Sequence, residues 1–246
     1  MEKLYGLIGY PLGHSFSKKY FTEKFRKENI AGARYELFEM EGIEAFNDLV
    51  EAHPELKGLN VTIPHKQQVM RYLDELDSSA KQVGAVNTVK FTDKKRIGYN
   101  TDFYGFKASL ENWLGTFRPA KALILGTGGA SKAVTCALYT MDIEYLLISR
   151  HASEHTVTYE ELRKKHDLQD YPLIINSTPL GMSPNVNTFP DINYDQLGKQ
   201  HYCYDLVYNP EETTFMKKAA EKGASVKNGI EMLHLQAEKS WEIWNQ

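Results

Sequence analysis

The chain has 246 residues, of which 42% are hydrophobic and 25% charged, a composition typical of a globular enzyme with one large or two small domains. A formal net charge of -3 excludes a strongly basic nucleic-acid-binding protein, and no apolar run is long enough to cross a membrane. The N-terminal segment lacks a signal-peptide pattern, and the two cysteines are too far apart for a metal or redox motif. We therefore expect a cytoplasmic protein that binds no metal, nucleic acid or membrane.

The N-terminal part of the chain alternates between strand and helix patterns. Strands are predicted over 3–9, 34–39 and 58–63, and helices over 18–28, 43–50 and 64–74. This order implies a mainly parallel sheet. Residues 84–91 and 96–100 are predicted to be hairpin strands joined by a turn at 92–95.

Lys66 lies where the third strand gives way to a predicted helix that begins at Pro64. Val69 and Leu73 follow at helical spacing, so Lys66 shares a face with residues that favour burial. A lysine at this edge of an α/β sheet can reach a ligand, and burial and a helix N-terminus both lower the pKa of its amine. A lysine in the first turn of a helix is more commonly solvated, so Lys66 taken alone does not indicate an active site.

Four other polar residues are candidates for ligand binding. Ser15 and Ser17 both precede the first predicted helix. One serine suffices as its N-cap, which leaves a spare hydroxyl beside the helix N-terminus, where a carboxylate is stabilised. Asn87 is a candidate ligand-binding amide, but it can instead be a turn or bulge residue whose hydrogen bonds are satisfied within the protein. Asp102 is a candidate ligand-binding carboxylate, but it can instead be the N-cap of a helix, because apolar residues continue after it at helical spacing.

A glycine-rich turn follows an apolar strand at 122–125. Gly126, Gly128 and Gly129 then lead into a helix, a context in which backbone N–H groups and the helix N-terminus can approach a pyrophosphate. The next strand ends at Arg150, where enzymes that prefer NAD usually have Asp or Glu. Arginine there favours the 2′-phosphate of NADP over a role as a plain surface charge.

The remaining elements continue the alternation. Strands are predicted over 145–149, 173–176, 202–208 and 224–227, and helices over 213–222 and 229–244. Gln236 falls on the inner side of the last helix, where it either bonds the backbone or faces a ligand.

Taken together, these segments resemble the shikimate dehydrogenase family over nearly the whole chain. The motifs that carry the resemblance occur in the family's order: Gly13–Ser17, Asn60–Lys66, Gly84–Thr88, Asn100–Asp102, Gly126–Ala133, Asn176–Met182, Asp205–Pro210 and Asn228–Gln236. The resemblance implies two α/β domains with the active site in a cleft between them. Residues 1–103, completed by a returning helix at 229–246, would bind substrate, and 104–228 would form a Rossmann-like NADP-binding domain.

The resemblance also implies roles for single residues. Lys66 would be the acid–base catalyst, paired with Asp102. Further substrate contacts would be Ser15, Ser17, Asn60, Thr62, Asn87, Tyr208 and Gln236. Cofactor contacts would be Gly126, Thr127, Gly128, Gly129, Ala130, Ser149, Arg150, Asn176, Thr178, Leu206, Gly229 and Met232. The implied activity is the NADPH-dependent, reversible reduction of 3-dehydroshikimate to shikimate in chorismate and aromatic amino acid biosynthesis, by a monomer or homodimer.

The chain departs from the family pattern at several places, and two other functions stay open. The segment between Arg150 and Asn176 is shorter than usual, Ser149 replaces a common Asn, Ser78 a common acidic residue, and Glu231 a common Gly. One alternative is a quinate/shikimate dehydrogenase of broader specificity. Another is a non-catalytic protein that senses NADP or a metabolite, which would be expected to have lost Lys66 or Asp102.

Overall fold

The chain forms two α/β units, each built around a six-stranded sheet, in a computed structural model that describes residues 2–13 and 15–246. The first unit contains the chain up to Thr101 together with Gln236–Gln246, and the second contains Asp102–Leu235. The last helix therefore contributes its C-terminal part to the first unit.

The helices are α1 (Phe16–Lys27), α2 (Phe46–Ala52), α3 (Ser78–Val83), α4 (Thr101–Leu114), α5 (Gly129–Thr140), α6 (Tyr159–Lys165), α7 (Thr214–Glu221) and α8 (Ile230–Asn245). The strands are β1 (Lys3–Gly9), β2 (Ala33–Glu39), β3 (Leu56–Val61), β4 (Glu75–Leu76), β5 (Thr88–Phe91), β6 (Arg96–Tyr99), β7 (Lys121–Leu125), β8 (Glu144–Ser149), β9 (Val157–Thr158), β10 (Leu173–Asn176), β11 (Tyr202–Asp205) and β12 (Ser225–Lys227). Short 3₁₀ helices span Ile43–Ala45, Gln68–Tyr72, Leu168–Asp170 and Tyr194–Gln196.

The first sheet has the order β2-β1-β3-β5-β6-β4. Strands β1, β2 and β3 are parallel, whereas β5 pairs antiparallel with both β3 and β6, as the predicted hairpin requires. Side chains alternate along β1, so Leu4 and Ile8 pack into one apolar cluster and Tyr5 into another on the opposite face. The second of these clusters includes Trp244 of α8, so part of the core of the first unit comes from the end of the chain.

The second sheet has the order β12-β11-β10-β7-β8-β9, and all its strands are parallel. Its central strands are apolar on both faces, as in sheets covered by helices on either side. The expected two-part α/β fold with a Rossmann-like second part is therefore confirmed.

The predicted α-helix over 64–74 is wrong. The chain after Pro64 forms turns and then a 3₁₀ helix, because the carbonyl of Lys66 accepts a hydrogen bond from the N–H of Val86 (2.7 Å). That carbonyl does not receive the N–H of Met70, which bonds Gln67 three residues back at 3.3 Å. Lys66 consequently lies in a turn and not on an α-helical face.

Within the described residues, none of the helices is both long and apolar enough to cross a lipid bilayer. The same part of the chain holds no group of three His, Cys, Asp or Glu side chains placed to bind a metal ion. Neither cysteine forms a disulfide bond.

Candidate functional site

The two serines at the start of α1 have different surroundings. Ser15 is the N-cap, and its Oγ accepts a hydrogen bond from the N–H of Lys18 at 3.4 Å. Ser17 bonds the buried hydroxyl of Tyr35; burial holds the pKa of Tyr35 well above its ordinary value, and this bond acts in the opposite direction. His14, which belongs to the same motif, lies outside the described residues. One serine thus caps the helix and the other joins a buried network.

The loop that carries Thr62 and Lys66 is tied to the segment that carries Asn87. The N–H of Val61 donates to the carbonyl of Asn87 (2.8 Å), and the N–H of Val86 donates to that of Lys66 (2.7 Å). Thr62 lies beside Gly9 so closely that a side chain on Gly9 would overlap its methyl group. The loops after β1 and β3 are therefore packed together at the carboxyl edge of the sheet, where α/β proteins bind ligands.

Asn87 fixes the start of α4. Its Oδ1 accepts from the N–H of Thr101 at 2.6 Å, and its Nδ2 donates to the Thr101 hydroxyl at 3.0 Å. Asp102 follows directly in the first turn of the helix, so it is not the N-cap that its sequence context suggested. The backbone position of Asp102 is thus set by a buried amide 3% exposed to solvent.

A continuous hydrogen-bond network joins several of the predicted substrate residues within the first unit. Asn60 accepts from the Tyr35 hydroxyl (2.7 Å) and donates to Ser240 of α8 (3.1 Å). Ser240 in turn bonds the hydroxyls of Thr88 (2.8 Å) and Thr101 (3.1 Å). The members of the network are Ser17, Tyr35, Asn60, Asn87, Thr88, Thr101, Gln236 and Ser240.

Sequence reasoning missed four members of this network: Tyr35, Thr88, Thr101 and Ser240. Thr88 and Thr101 fall within motifs of the sequence, but neither was assigned a role; Tyr35 and Ser240 lie in regular elements with partners distant in sequence, so no local pattern marks them. Asn60 is buried and bonded at both ends of its amide, so the structure gives it the surroundings of a supporting residue.

In the second unit, the glycine turn leaves space above the N-terminus of α5. Gly126 has φ of +105°, and a Cβ there would lie 2.7 Å from Cγ2 of Thr178, so glycine is required by the fold itself. At Gly128 and Gly129, by contrast, a Cβ would meet nothing within 4 Å. Gly128 is the N-cap of α5 and provides no side-chain cap, which suits an anion bound by backbone N–H groups.

The predicted ribose-phosphate contact lies at the end of β8. Arg150 is exposed, and its charge opposes the rise in the pKa of Tyr159, which burial and the charge of Asp191 bring to about 12. Ser149 is half-buried, and its Oγ accepts from the N–H of His151 at 3.4 Å. The shortened segment after Arg150 forms a loop, then β9 and α6, which the sequence patterns did not predict. An exposed guanidinium at this place can bind a phosphate.

The remaining predicted cofactor residues lie after β10 and β11. Asn176 bonds Thr178 through its Oδ1 and the buried carboxylate of Asp205 through its Nδ2 (2.9 Å). A side chain on Gly229 would overlap the carbonyl of Leu206, so these two residues are in close backbone contact. Met232 is buried on α8, and Tyr208 remains 39% exposed with a pKa raised by burial.

Two acidic residues of the second unit were not predicted as site residues. Asp205 has no exposed surface and accepts three hydrogen bonds; its signal in the sequence is a carboxylate inside the apolar run 202–207. Glu231 bonds Lys227, Asn112 (2.9 Å) and Ser109 (3.1 Å). Burial acts to raise the pKa of Glu231, but these bonds hold it below its ordinary value.

Similarity to known proteins extends over both units. Residues 7–89 match the family described as Shikimate dehydrogenase substrate binding domain. Shikimate dehydrogenase (NADP(+)) of Clostridium beijerinckii is 42% identical over 257 residues, which cover 99% of this chain and 92% of that protein.

Two solved structures resemble the chain throughout. Shikimate 5-dehydrogenase of Thermus thermophilus, in complex with NADP(H) and shikimate, has a TM-score of 0.84 at 28% identity and covers 98% of this chain and 93% of its own. Quinate dehydrogenase of Corynebacterium glutamicum, in complex with NAD, has a TM-score of 0.87 at 26% identity, with coverages of 99% and 93%.

Proposed function

The chain belongs to the shikimate dehydrogenase family, and we propose that it catalyses the reversible reduction of 3-dehydroshikimate to shikimate with NADP(H), a step toward chorismate and the aromatic amino acids. The observation that carries this proposal is 42% identity over 99% of the chain to an enzyme of that name. The hydroxyl and amide groups of the first unit suit a polyhydroxylated acid without phosphate groups, because such a ligand is bound chiefly by hydrogen bonds.

Lys66 and Asp102 are the proposed acid–base pair. Reduction of a ketone requires a hydride, which NADPH supplies when bound, and a proton for the developing alkoxide. Lys66 would donate that proton and stabilise the charge, while Asp102 would orient the amine and bind a neighbouring hydroxyl. The support is that both backbones are fixed: Lys66 by Val86, and Asp102 by the bond from Thr101 to Asn87.

The substrate carboxylate is proposed to bind at the start of α1. The Ser15 hydroxyl accepts from the helix N–H and keeps its own hydrogen for a carboxylate oxygen. Ser17 and Tyr208 would complete the contact, and Thr62, Asn87 and Gln236 would bind the ring hydroxyls.

The cofactor is proposed to bind along the second unit. The residues present fit it: the open side of Gly128 and Gly129 admits a pyrophosphate against the N-terminus of α5, with Thr127 and Ala130 beside it. Arg150 would pair with the 2′-phosphate. Leu206, Gly229 and Met232 would line the nicotinamide position.

We also propose that the protein works in a reducing compartment such as the cytoplasm, as a monomer or homodimer. The support is that Cys203 is buried and in no disulfide, and burial raises the pKa of its thiol to about 12, which makes it unreactive.

The test is reduction of NADP+ with shikimate, followed by the absorbance of NADPH, for the wild type and Lys66→Ala. We expect kcat to fall by about 10²–10⁴-fold with little change in the KM for shikimate, because the lysine acts mainly in the transition state. Lys57→Ala, an exposed lysine on β3, is the matched control and should leave the rate unchanged. A wild type that binds NADP+ yet turns over no shikimate would contradict the proposal and favour a sensing role.

Quinate is a second candidate substrate, favoured by the TM-score of 0.87 to a quinate dehydrogenase bound to NAD. Parallel assays with quinate, and with NAD+ in place of NADP+, decide between a shikimate-specific enzyme and one of broader specificity. Comparable kcat/KM for the two acids would establish the broader activity.

A further inference from the structure

A fully buried carboxylate lies at the end of β11 and takes no part in the proposed chemistry. Asp205 accepts hydrogen bonds at Oδ1 from the N–H of Val207 (3.0 Å) and Nδ2 of Asn176 (2.9 Å). Its Oδ2 accepts from the hydroxyl of Thr213 at 2.6 Å. Burying a carboxylate is costly even when it is partnered, so an apolar residue would stabilise the core at least as well if packing were the sole requirement.

The first consequence of the carboxylate is the orientation of a neighbouring amide. An ionised carboxylate only accepts hydrogen bonds, so Asn176 must direct its Nδ2 toward Asp205 and its Oδ1 the other way. That Oδ1 accepts both the N–H (3.0 Å) and the hydroxyl (2.6 Å) of Thr178. Thr178 in turn lies against Gly126 at the start of the glycine turn. The hydrogen bond from Asn176 to Asp205 therefore sets the position of Thr178.

The second consequence concerns the turn that follows β11. The bond from Val207 to Asp205 closes this turn around Leu206. The N–H of Gly229 donates to the carbonyl of Val207 (3.2 Å), and Gly229 lies directly against the carbonyl of Leu206. The hydrogen bond from the N–H of Val207 to Asp205 therefore sets the position of Leu206 and of the residues that lead into α8.

We propose that Asp205 is a positioning residue for NADP(H), which rests on the proposed function: it holds Thr178 and Leu206, on neighbouring loops, in the places where the cofactor is bound. Asp205 itself touches no ligand. Its role is to make two loops that leave adjacent strands adopt one mutual arrangement before the cofactor arrives, which lowers the cost of binding.

The test compares Asp205→Ala with Thr213→Val. The second variant belongs to the same buried cluster but retains the hydrogen bonds of Asp205 with Asn176 and Val207. Thr213 is the N-cap of α7, so Thr213→Val should lower Tm while the KM for NADP+ stays within a few-fold of the wild type. Asp205→Ala should raise the KM and Kd for NADP+ by about 10- to 100-fold, with a smaller change in the KM for shikimate. Asp205→Asn, which retains an acceptor but can turn its amide, should lie between alanine and the wild type.

An equal rise in the NADP+ Kd in Thr213→Val and Asp205→Ala would overturn the inference, because it would mean general loosening of the core. A Kd for NADP+ equal to that of the wild type in both Asp205→Asn and Asp205→Ala would also overturn the inference. If the alanine variant does not fold, the Kd of the asparagine variant alone decides. The proposed function fails separately, through a wild type that binds NADP+ by calorimetry but does not oxidise shikimate. In that case the Kd comparison still tests Asp205.

Discussion

Single buried groups in this protein show clearly how a local environment changes the chemistry of a side chain. Asp205 is the clearest case, because burial raises the pKa of its carboxyl group to about 6, against the opposing effect of its hydrogen bonds from Thr213, Val207 and Asn176. The folded state therefore binds this proton more tightly than the unfolded state, in which the pKa is 3.8. A shift of this kind links protonation to stability.

The stability that Asp205 contributes should fall as the pH rises from about 4 to about 6, since the unfolded chain loses the proton first. The change over this window is about 3 kcal/mol. Denaturant unfolding of the wild type and Asp205→Asn at several pH values measures it: the difference in free energy of unfolding should shift in favour of the variant as the pH rises, then stay level. A difference independent of pH would contradict the assignment.

Arg150 offers a test of cofactor choice at the same scale. Arg150→Gln should raise the KM for NADP+ by about 10- to 100-fold and leave the KM for NAD+ nearly unchanged, because the guanidinium would contact only the 2′-phosphate. The control is Arg163→Gln, an exposed arginine of α6 that pairs with Asp191. Equal losses with both cofactors would show that Arg150 supports the domain and not the phosphate.

At the scale of elements, the turn between β7 and α5 contains glycines in two different environments. Gly126 is required by its backbone conformation and by Thr178, whereas Gly128 and Gly129 face open space. We therefore expect the fold to constrain Gly126 and the proposed cofactor to constrain Gly128 and Gly129.

Gly126→Ala should destabilise the protein by about 1–3 kcal/mol because of the strained φ and the contact with Thr178. Gly128→Ala should leave the free energy of unfolding within about 0.5 kcal/mol of the wild type but weaken NADP+ binding, because its methyl group would occupy the space next to the pyrophosphate. Thermal unfolding and NADP+ titration of the two variants separate these effects. A Gly128→Ala protein with wild-type affinity would argue against a pyrophosphate at this turn.

Most elements could be predicted from the sequence because their apolar residues repeat with a clear period. The strand at 3–9 has its predicted bounds, and the helices from 101, 129 and 230 follow long amphipathic patterns. The segment after Pro64 misled this reasoning, because Val69 and Leu73 fit a helix while a distant N–H, that of Val86, takes the carbonyl of Lys66.

The short helix α3 was missed for a related reason. It spans only Ser78–Val83 and depends on a cap from Asp77 and a bond between Ser79 and the N–H of Asn100. The buried network of the first unit shows the same limit, since Asn60 and Ser240 are 180 residues apart in the chain. Individual site residues such as Asn60 could be predicted from the sequence, but their hydrogen-bond partners far along the chain could not.

At the scale of the molecule, the first unit depends on the end of the chain for its core. Trp244 is 6% exposed, packs near Tyr5 and Phe21, and donates from Nε1 to the carbonyl of Val89 at 3.0 Å. Gly58 lies so close to this indole that a side chain there would overlap it. The indole therefore both fills space and satisfies a buried backbone acceptor.

Trp244→Ala should destabilise the first unit by about 3–5 kcal/mol, because it leaves a cavity and an unpaired carbonyl. Thermal unfolding by circular dichroism measures the loss, with Trp113→Ala, a partly buried indole of the second unit, as the comparison. If the two units unfold separately, the two variants should lower different transitions. If Trp244→Ala leaves the unfolding transition of the first unit unchanged, the packing of α8 is not required for the core of that unit.

This division of the chain also has a consequence for its biosynthesis. The second unit is one continuous stretch, Asp102–Leu235, and can fold as soon as that stretch has left the ribosome. The first unit is translated earlier but lacks Gln236–Gln246 until later, so its sheet must wait with Tyr5, Phe21 and Gly58 uncovered. A ribosome that stalls before Gln236 would therefore leave this aromatic surface available to chaperones or to aggregation.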